Sequence, residues 1–369
     1  MIYFDNAASS PLSPAAREAF SAAMDLFANP SSLHSAGFLA EQNLKRAREE
    51  VAFAVGARAE EIFFTSGGTE SDNIAVLGAA ERMRRRGNRV VSSDAEHPAV
   101  EECLKKLEKD GFEVIRLSTR GGAIDPGEAE RAIDEKTVLV AVMHTNNETG
   151  AVFDLPLLSR LAKRKNPECL VFSDAVQGFL KTSFTPQSLG VDLLSLSSHK
   201  VYGPKGVGAL YVKKGLTLPP RVYGGGQEKG LRSGTENLPG ILAFGAACAD
   251  GKAHFSERRE AMQNVRERVI SRLSGQKKIR FHLPENPAPH LLSLAVEGFR
   301  SEVLLHMLSE KEIFVSSGSA CSSHKGKSPV LQHFGLSPAE ADSTIRLSFS
   351  AFNTVGEADE FADALLSLL

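Results

Sequence analysis

Between about residue 14 and residue 250, short β-rich runs alternate with segments of helical periodicity. The β-rich runs are continuously apolar rather than alternating, which is typical of strands buried on both faces of a sheet. Strands that alternate with helices in this way form mostly parallel, doubly wound sheets. Seven such runs lie at residues 61–65, 89–93, 112–117, 137–143, 169–174, 192–197 and 207–212. The pattern predicts an α/β chain with a mostly parallel, seven-stranded sheet.

The helical patterns divide the chain into two parts. In the first part they lie at residues 14–27, 38–55, 70–86, 98–109, 126–134 and 155–165. After a glycine-rich stretch at 223–230 the alternation ends. The later pattern predicts one long helix over 240–274, strands at 279–283 and 291–296, a helix at 301–311 and a closing helix at 356–368. We therefore predict a large domain over 13–251 and a smaller α+β domain built from 1–12 and 252–369.

Charge and cysteine usage exclude several classes of protein. The formal net charge is -2, so no global field attracts nucleic acid or an anionic membrane, and we expect no direct nucleic-acid binding. No apolar run reaches the ~18 residues of a membrane-spanning helix, and the N-terminus lacks the features of a signal peptide. The four cysteines form no C-x-x-C pair and no disulfide framework, so we expect no structural metal site. Reduced thiols fit a cytoplasmic protein.

Polar residues follow five of the predicted strands. In open α/β sheets, ligands bind beyond the carboxyl ends of the strands. The residues at these strand ends are 65–69, His97, Asn146, Asp174 and 197–200. Their convergence predicts one binding site at that edge of the sheet.

The segment FFTSGGTES (63–71) runs from a strand through two glycines into a helix. The free N–H groups and the dipole at such a helix N-terminus favour an anion, and glycine lets a phosphate approach the backbone. An ordinary capped turn is the alternative. The segment has neither the lysine of a Walker loop nor a G-x-G-x-x-G pattern, so ATP and NAD fit poorly.

Two residues suggest an aldehyde cofactor with a basic ring. Asp174 ends the strand CLVFSD, where a carboxylate needs a cation such as a protonated pyridine nitrogen; capping a helix is the alternative. Lys200, in SLSSHKVYGPKG (195–206), follows a strand and can form a Schiff base with an aldehyde. A surface-turn lysine is the alternative. Ser197 and His199 beside it are candidates for binding the cofactor's phosphate.

Three further residues are candidates for the chemistry. His97 precedes Pro98 at a strand end and can stack on a flat ring, or be a plain turn residue. Arg346 lies in an apolar strand-like context and can hold a carboxylate, or extend to solvent from a sheet edge. Cys321 lies in SSGSACSSHKGKS (316–328), a loop composition with basic neighbours, which favours a reactive thiol over an incidental one. Cys103, Cys169 and Cys248 have apolar neighbours and are predicted to be buried.

Together these segments resemble the cysteine desulfurases, a family of fold type I pyridoxal-phosphate (PLP) enzymes within the class V aminotransferases. The resemblance runs from Tyr3 to the C-terminal helix. The segments that carry it are YFDNAASS, NPSSLHSAG, FFTSGGTES, Glu96-His97, NNETG, SDAVQ, SSHKVYGPKGVGALY, GGGQEKGLRSGTEN, SSGSACSS and IRLSFS.

The resemblance implies a role for each site residue. It implies that Lys200 is the Schiff-base lysine and that Cys321 is the nucleophile that becomes a persulfide. It implies that Asp174 pairs with the pyridinium nitrogen, that Gln177 binds the ring hydroxyl and that His97 stacks on the ring. The implied phosphate ligands are Gly68, Thr69, Ser197 and His199, joined by Thr235 from the second subunit of a homodimer. Asn146 and Arg346 are implied to bind the substrate carboxylate.

The resemblance also implies the substrate and partners. The enzyme would convert L-cysteine to L-alanine and pass the sulfur to an acceptor protein, either an iron–sulfur scaffold or a sulfurtransferase. The long segment around Cys321 resembles the housekeeping and nitrogenase-associated branch. Its basic sequence differs from those common in that branch, which leaves the acceptor open.

Two other functions remain open from the sequence. One is another PLP reaction, such as that of a selenocysteine lyase, another lyase or an aminotransferase. The other is a PLP-type scaffold that only binds partners, against which the presence of Lys200, Asp174 and Cys321 argues.

Overall fold

The computed structural model describes residues 1–317 and 328–369. Twelve strands and thirteen helices occur in these residues. The strands are β1 (Ile2–Tyr3), β2 (Ile62–Thr65), β3 (Arg89–Ser93), β4 (Glu113–Leu117), β5 (Thr137–Ala141), β6 (Leu170–Asp174), β7 (Leu193–Ser197), β8 (Gly208–Val212), β9 (Ile279–His282), β10 (Leu291–Val296), β11 (Ile313–Phe314) and β12 (Thr344–Ser348). The helices are α1 (Pro14–Ala23), α2 (Ser35–Val55), α3 (Gly68–Met83), α4 (Pro98–Lys109), α5 (Pro126–Ala132), α6 (Leu155–Lys165), α7 (Pro186–Leu189), α8 (Leu238–Ala253), α9 (Phe255–Leu273), α10 (Ser301–Ser309), α11 (Pro329–Phe334), α12 (Pro338–Asp342) and α13 (Val355–Leu366).

The large sheet confirms the predicted α/β class. Its seven strands lie in the order β2-β8-β7-β6-β5-β3-β4. β8 pairs antiparallel with both its neighbours, whereas β3, β4, β5, β6 and β7 pair in parallel. All seven runs predicted from the sequence form these strands. The carboxyl ends of the parallel strands therefore meet along one edge.

A second, smaller core lies around the three-stranded antiparallel sheet β12-β10-β9. Its buried residues include Leu292, Ile345 and Phe361, and they form a cluster separate from the two clusters that cover the large sheet. Ile2 and Phe4 belong to this smaller core, because β1 pairs with β11. The chain thus starts in the smaller core and crosses to the large sheet. The domain limits at residues 12 and 252 stay a prediction.

The long helix predicted over 240–274 is wrong. The chain forms two helices, α8 and α9, which meet at His254. α8 is strongly apolar and packs against α1 and α2, whereas α9 is rich in charged residues and buries one face. Arg258 lies 2.6 Å from the Asp250 carboxylate across this corner. The helical conformation is interrupted at His254, with φ of -107° and ψ of 22°, and no proline in the sequence signals this break.

A buried ion pair holds the glycine-rich segment at 223–230, which follows β8, against α2 and β2. Arg48 on α2 donates two hydrogen bonds to the Glu228 carboxylate, at 2.6 and 2.8 Å. Glu228 also accepts from the Phe64 amide on β2 at 2.9 Å. A paired, hydrogen-bonded charge of this kind fixes a segment that has no regular structure. It holds the chain just before Thr235.

Within residues 1–317 and 328–369, no helix combines the length and the apolar character needed to cross a bilayer.

Candidate active site

A cavity of about 250 Å³ lies at the carboxyl edge of the large sheet. Nine of the twelve predicted site residues line it. These nine are Gly68, Thr69, His97, Asp174, Gln177, Ser197, His199, Lys200 and Arg346. Residues that the sequence analysis did not single out complete the wall: Ala7, Ala8, Asp72, Met143, Thr145, Asn147 and Val176. The ends of separate strands thus form one site, as their topology requires.

One end of the cavity suits a phosphate. α3 begins at Gly68, so the amides of its first turn lack intrahelical acceptors. A Cβ on Gly68 would lie only 2.8 Å from a methyl carbon of Val176, so a side chain is poorly tolerated there. Burial and the charge of Lys200 lower the pKa of His199 to about 4, so its imidazole is neutral at pH 7. Together with the Ser197 hydroxyl, these groups form a cradle of hydrogen-bond donors for an anion.

Asp174 provides the opposite charge. It ends β6, is 6% exposed, and accepts a hydrogen bond from the Val176 amide at 2.9 Å. Burial raises its pKa, and His97 and Lys200 act in the opposite direction. No arginine or lysine forms an ion pair with it in the part of the chain that the structure describes. A protonated ring nitrogen would supply the missing cation.

Gln177 offers an unused acceptor on the same wall. Its side-chain nitrogen donates to the Ala7 carbonyl at 2.9 Å. Its amide oxygen is buried and accepts no hydrogen bond from any described residue. A ring hydroxyl fits this oxygen, so the residues present suit PLP at three separate points.

His97 is held at the start of α4. Its Nδ1 accepts from the Ala99 amide at 3.2 Å. Burial lowers the pKa of His97 and so favours the neutral ring, although the negative charge of Asp174 acts in the opposite direction. One ring nitrogen of His97 and the carboxylate oxygens of Asp72 and Asp174 lie within 4.8 Å of one another. That spacing alone would also suit a metal ion, but the lysine and the anion cradle across the cavity favour an organic cofactor.

Lys200 lies in a 3-10 turn (Ser198–Lys200) directly after β7. Its Nζ donates to the carbonyls of Ala7 and Ala8, at 2.6 and 2.8 Å. These carbonyls belong to the segment that crosses from the smaller core. The amine is therefore held in the cavity wall by main chain from the other end of the sequence.

Arg346 lies on β12 and is 2% exposed. It donates to the Asn147 carbonyl at 3.0 Å and to the Asp5 carboxylate at 2.7 Å, while its Nε has no partner among the described residues. A guanidinium with an unused donor in a cavity wall is suited to a carboxylate.

Asn146 is buried in a turn beside the cavity and is not among the residues that line it. Its amide donates to the Ala95 carbonyl at 3.0 Å, and its oxygen accepts from the Glu148 and Thr149 amides at 2.9 and 2.8 Å. Its role in binding the substrate carboxylate stays a prediction. Its neighbour Asn147 lines the cavity instead.

The other two predicted residues are not in the cavity wall. Thr235 is exposed and absent from the lining of its own chain's cavity. Cys321 lies outside the described residues. On either side of the segment 318–327, however, the chain is attached beside the cavity: Ser316 pairs with Arg346 through two main-chain hydrogen bonds, and Ser328 donates to Glu148 at 2.6 Å.

Two buried basic residues were missed by the sequence analysis. Lys181 is 3% exposed, its Nζ has no hydrogen-bond partner among the described residues, and burial lowers its pKa to about 7. His290 is fully buried, and both ring nitrogens lack partners there. Burial, and to a lesser extent the charges of Lys181 and Arg346, lower the pKa of His290 well below its ordinary value. A lysine within the apolar run GFLKTSF was the available signal.

Comparison with known proteins agrees with this site. The family model for class-V aminotransferases matches residues 2–361. The NifS/IcsS protein homolog of Lactobacillus delbrueckii subsp. bulgaricus is 39% identical, over 99% of this chain and 96% of that protein. The cysteine desulfurase IscS of Methanosarcina thermophila is 36% identical, over 99% of this chain and 91% of its own.

Solved structures give the same result. A NifS-like protein superposes with a TM-score of 0.93 at 36% identity, with all of both chains covered. SspA in complex with cysteine superposes with a TM-score of 0.84 at 34% identity, over 96% of this chain and all of that chain. With a family match over almost its whole length, the chain belongs to the class-V aminotransferase family of PLP-dependent enzymes.

Proposed function

We propose that this chain is a PLP-dependent cysteine desulfurase, which converts L-cysteine to L-alanine and holds the removed sulfur as a persulfide on Cys321. The observation that carries the proposal is the composition of the cavity: an anion cradle, a buried carboxylate, an amine and a guanidinium all line it. Relatives named as cysteine desulfurases support the choice of substrate.

The residues of the chain divide the work among them. Bound PLP supplies an aldehyde that reacts with amines and a ring that withdraws electrons from the substrate's Cα. Lys200 holds the cofactor and then takes the Cα proton on its Nζ. Asp174 keeps the ring nitrogen protonated, and Arg346 orients the substrate through its carboxylate. Asn147 lines the cavity and its carbonyl accepts from Arg346, which supports this amide as a second candidate, beside Asn146, for helping Arg346.

Sulfur transfer requires the Cys321 thiolate to reach the substrate. Its sulfur attacks the sulfur of cysteine, so that an S–S bond forms and the C–S bond breaks. The electron pair of that bond stays with carbon, which takes up a proton and becomes the methyl group of alanine. Cys321 follows Ser317 by four positions along the chain, a span of at most about 13–14 Å. Because Ser316 pairs with Arg346, this span starts beside the cavity.

The final acceptor is proposed to be a protein, either an iron–sulfur scaffold or a sulfurtransferase. A partner protein of this kind would collect the sulfur from the Cys321 persulfide. The cysteines at 103, 169 and 248 are buried and unpaired, which suits the reducing cytoplasm as the place of action.

Replacing Cys321 by alanine should separate the two halves of the reaction. The variant is expected to keep bound PLP and to bind cysteine, because none of the described cavity residues is changed. It should release almost no alanine from cysteine, since no thiolate is positioned to take the sulfur. Alanine release and absorption spectra measure the two halves separately.

Cys103→Ala, a change at a buried cysteine outside the cavity, is the control and should keep its turnover. Near-normal alanine and sulfide release by Cys321→Ala would instead indicate a plain PLP lyase. Alanine formation that needs an added keto acid would indicate an aminotransferase.

Replacing Arg346 by alanine should lower kcat/KM for cysteine by about 10- to 150-fold, the value of a charge-assisted hydrogen bond of roughly 1.5–3 kcal/mol. Cofactor affinity should change little. Arg346→Lys keeps the charge without the planar fork and should lie in between. Cysteamine, which lacks the carboxylate, tests whether Arg346 recognises that group. Its affinity, measured by spectral titration, should be the same for the wild type and Arg346→Ala. An equal loss for both amines would contradict carboxylate recognition.

We also propose a homodimer in which Thr235 contacts the phosphate bound by the other subunit. Thr235 is exposed and outside its own cavity, in a segment held firmly by the Arg48–Glu228 pair. Lys200→Ala and Thr235→Glu homodimers should each be inactive, the second because a carboxylate repels the phosphate. After unfolding and refolding together, hybrids would contain one intact site, giving about a quarter of wild-type activity if assembly is random. No recovery, or a monomer in light scattering, would contradict the shared site.

A further inference from the structure

A second buried carboxyl group, that of Asp72, lies close to Asp174. Asp72 is in the second turn of α3, is 1% exposed, and lines the cavity. The Ser195 hydroxyl donates to its Oδ1 at 2.6 Å. Ser195 is also the β7 residue directly opposite Asp174 in the register of β6 and β7. One hydroxyl therefore lies between the two acids.

The two carboxyl groups are too close for both to carry a charge easily. Carboxylate oxygens of Asp72 and Asp174 lie within 4.8 Å of each other, and a ring nitrogen of His97 lies within 4.8 Å of both. Like charges at this spacing in a buried site strongly disfavour the second ionisation. One of the two acids must then keep a proton.

The surroundings decide which acid keeps it. The Val176 amide, the Ser195 hydroxyl, and the electrostatic effects of His97 and Lys200 all favour the charged form of Asp174 against burial. For Asp72, only the Ser195 hydroxyl favours the charged form, whereas burial and the neighbouring acids Asp174 and Glu96 oppose it. Burial and this repulsion raise the pKa of Asp72 well above its ordinary value, whereas the pKa of Asp174 is raised against several opposing contributions.

The remaining neighbours leave this order unchanged. Burial raises the pKa of Glu96 to about 8, while the Ser93 hydroxyl and the Met143 amide donate to it. Burial raises the pKa of the Cys103 thiol to about 12, so it is neutral at pH 7. Neither group brings a positive charge towards Asp72.

We propose that Asp72 is a positioning residue that stays protonated, holding Ser195 between the two acids and leaving Asp174 as the single carboxylate that faces the ring nitrogen of PLP. The proposal rests on the proposed function, because it assumes that Asp174 meets this nitrogen. Its consequence is a defined charge of minus one at this end of the cavity, which matches one protonated ring.

Two substitutions separate the neutral acid from a charged one. Asp72→Asn imitates the protonated form in size and keeps an oxygen for Ser195, so it should weaken PLP binding to the apo-protein by no more than about threefold. Asp72→Ala leaves Ser195 without this partner and should weaken binding by about tenfold or more. Asp174→Asn, which removes the charge itself, should weaken it on the order of a hundredfold. PLP affinity is measured by fluorescence titration at pH 7.5.

Infrared difference spectra give a signature that a merely structural role would not produce. At pH 7.5, with and without PLP, the spectrum of the wild type minus that of Asp72→Asn should contain the C=O band of a protonated carboxylic acid. The band of Glu96, whose pKa is raised to about 8, is common to both proteins and cancels in this difference. Circular dichroism checks folding; if Asp72→Ala fails to fold, the comparison of Asp72→Asn with Asp174→Asn and the infrared band decide the question.

Three results would overturn the inference. These are a loss of PLP by Asp72→Asn as severe as that of Asp174→Asn, wild-type affinity in a folded Asp72→Ala, and an infrared band unchanged by Asp72→Asn. Failure of the wild type itself to bind PLP would be a different result, because it would refute the proposed function and not only the role of Asp72.

Discussion

The buried carboxylate of Asp174 is the constraint on which the rest of the site depends. A charge at the end of a central parallel strand is costly unless a cation meets it, and the described chain supplies no ion pair. Under the proposed function, Asp174 would hold the ring nitrogen of PLP, and this contact would set how the ring is bound. The anion cradle at the start of α3 would hold the phosphate, and Arg346, in the same cavity wall, would bind the substrate's carboxylate.

The second requirement is a chain that crosses between the two cores. The residues at 5–8 leave the smaller core and supply acceptors to three of the cavity's polar side chains: Asp5 to Arg346, Ala7 to Gln177, and Ala7 and Ala8 to Lys200. Residues 5–8 are thus part of the site. A displacement of the smaller core relative to the large sheet would move the Lys200 amine, because the segment that packs in the smaller core also accepts hydrogen bonds from Lys200.

Much of this arrangement could be predicted because it follows from local patterns. Continuous apolar runs identified all seven strands of the large sheet, and their polar ends identified seven residues of the cavity wall. Gln177 came from the resemblance to a known family, and Arg346 came from its apolar strand context. Asn146 and Asn147 could not be told apart in this way, since a turn has no alternation that assigns one side chain to the site. In the fold, the Asn146 oxygen accepts from two amides of its own turn, whereas Asn147 lines the cavity. The corner at His254 depends on packing against α1 and α2, and Lys181 and His290 meet only through the tertiary fold.

The central claim is that Lys200 holds PLP in this cavity. Two other lysines make it a sharp claim: Lys181 is buried nearby with a pKa lowered to about 7, and Lys205 is exposed five residues along the chain. The most direct measurement is borohydride reduction of the PLP-loaded protein, followed by proteolysis and mass spectrometry. The account predicts a single pyridoxyl group on the peptide that carries Lys200, and none after Lys200→Ala. A pyridoxyl group on Lys181 or Lys205 in the wild type would contradict it.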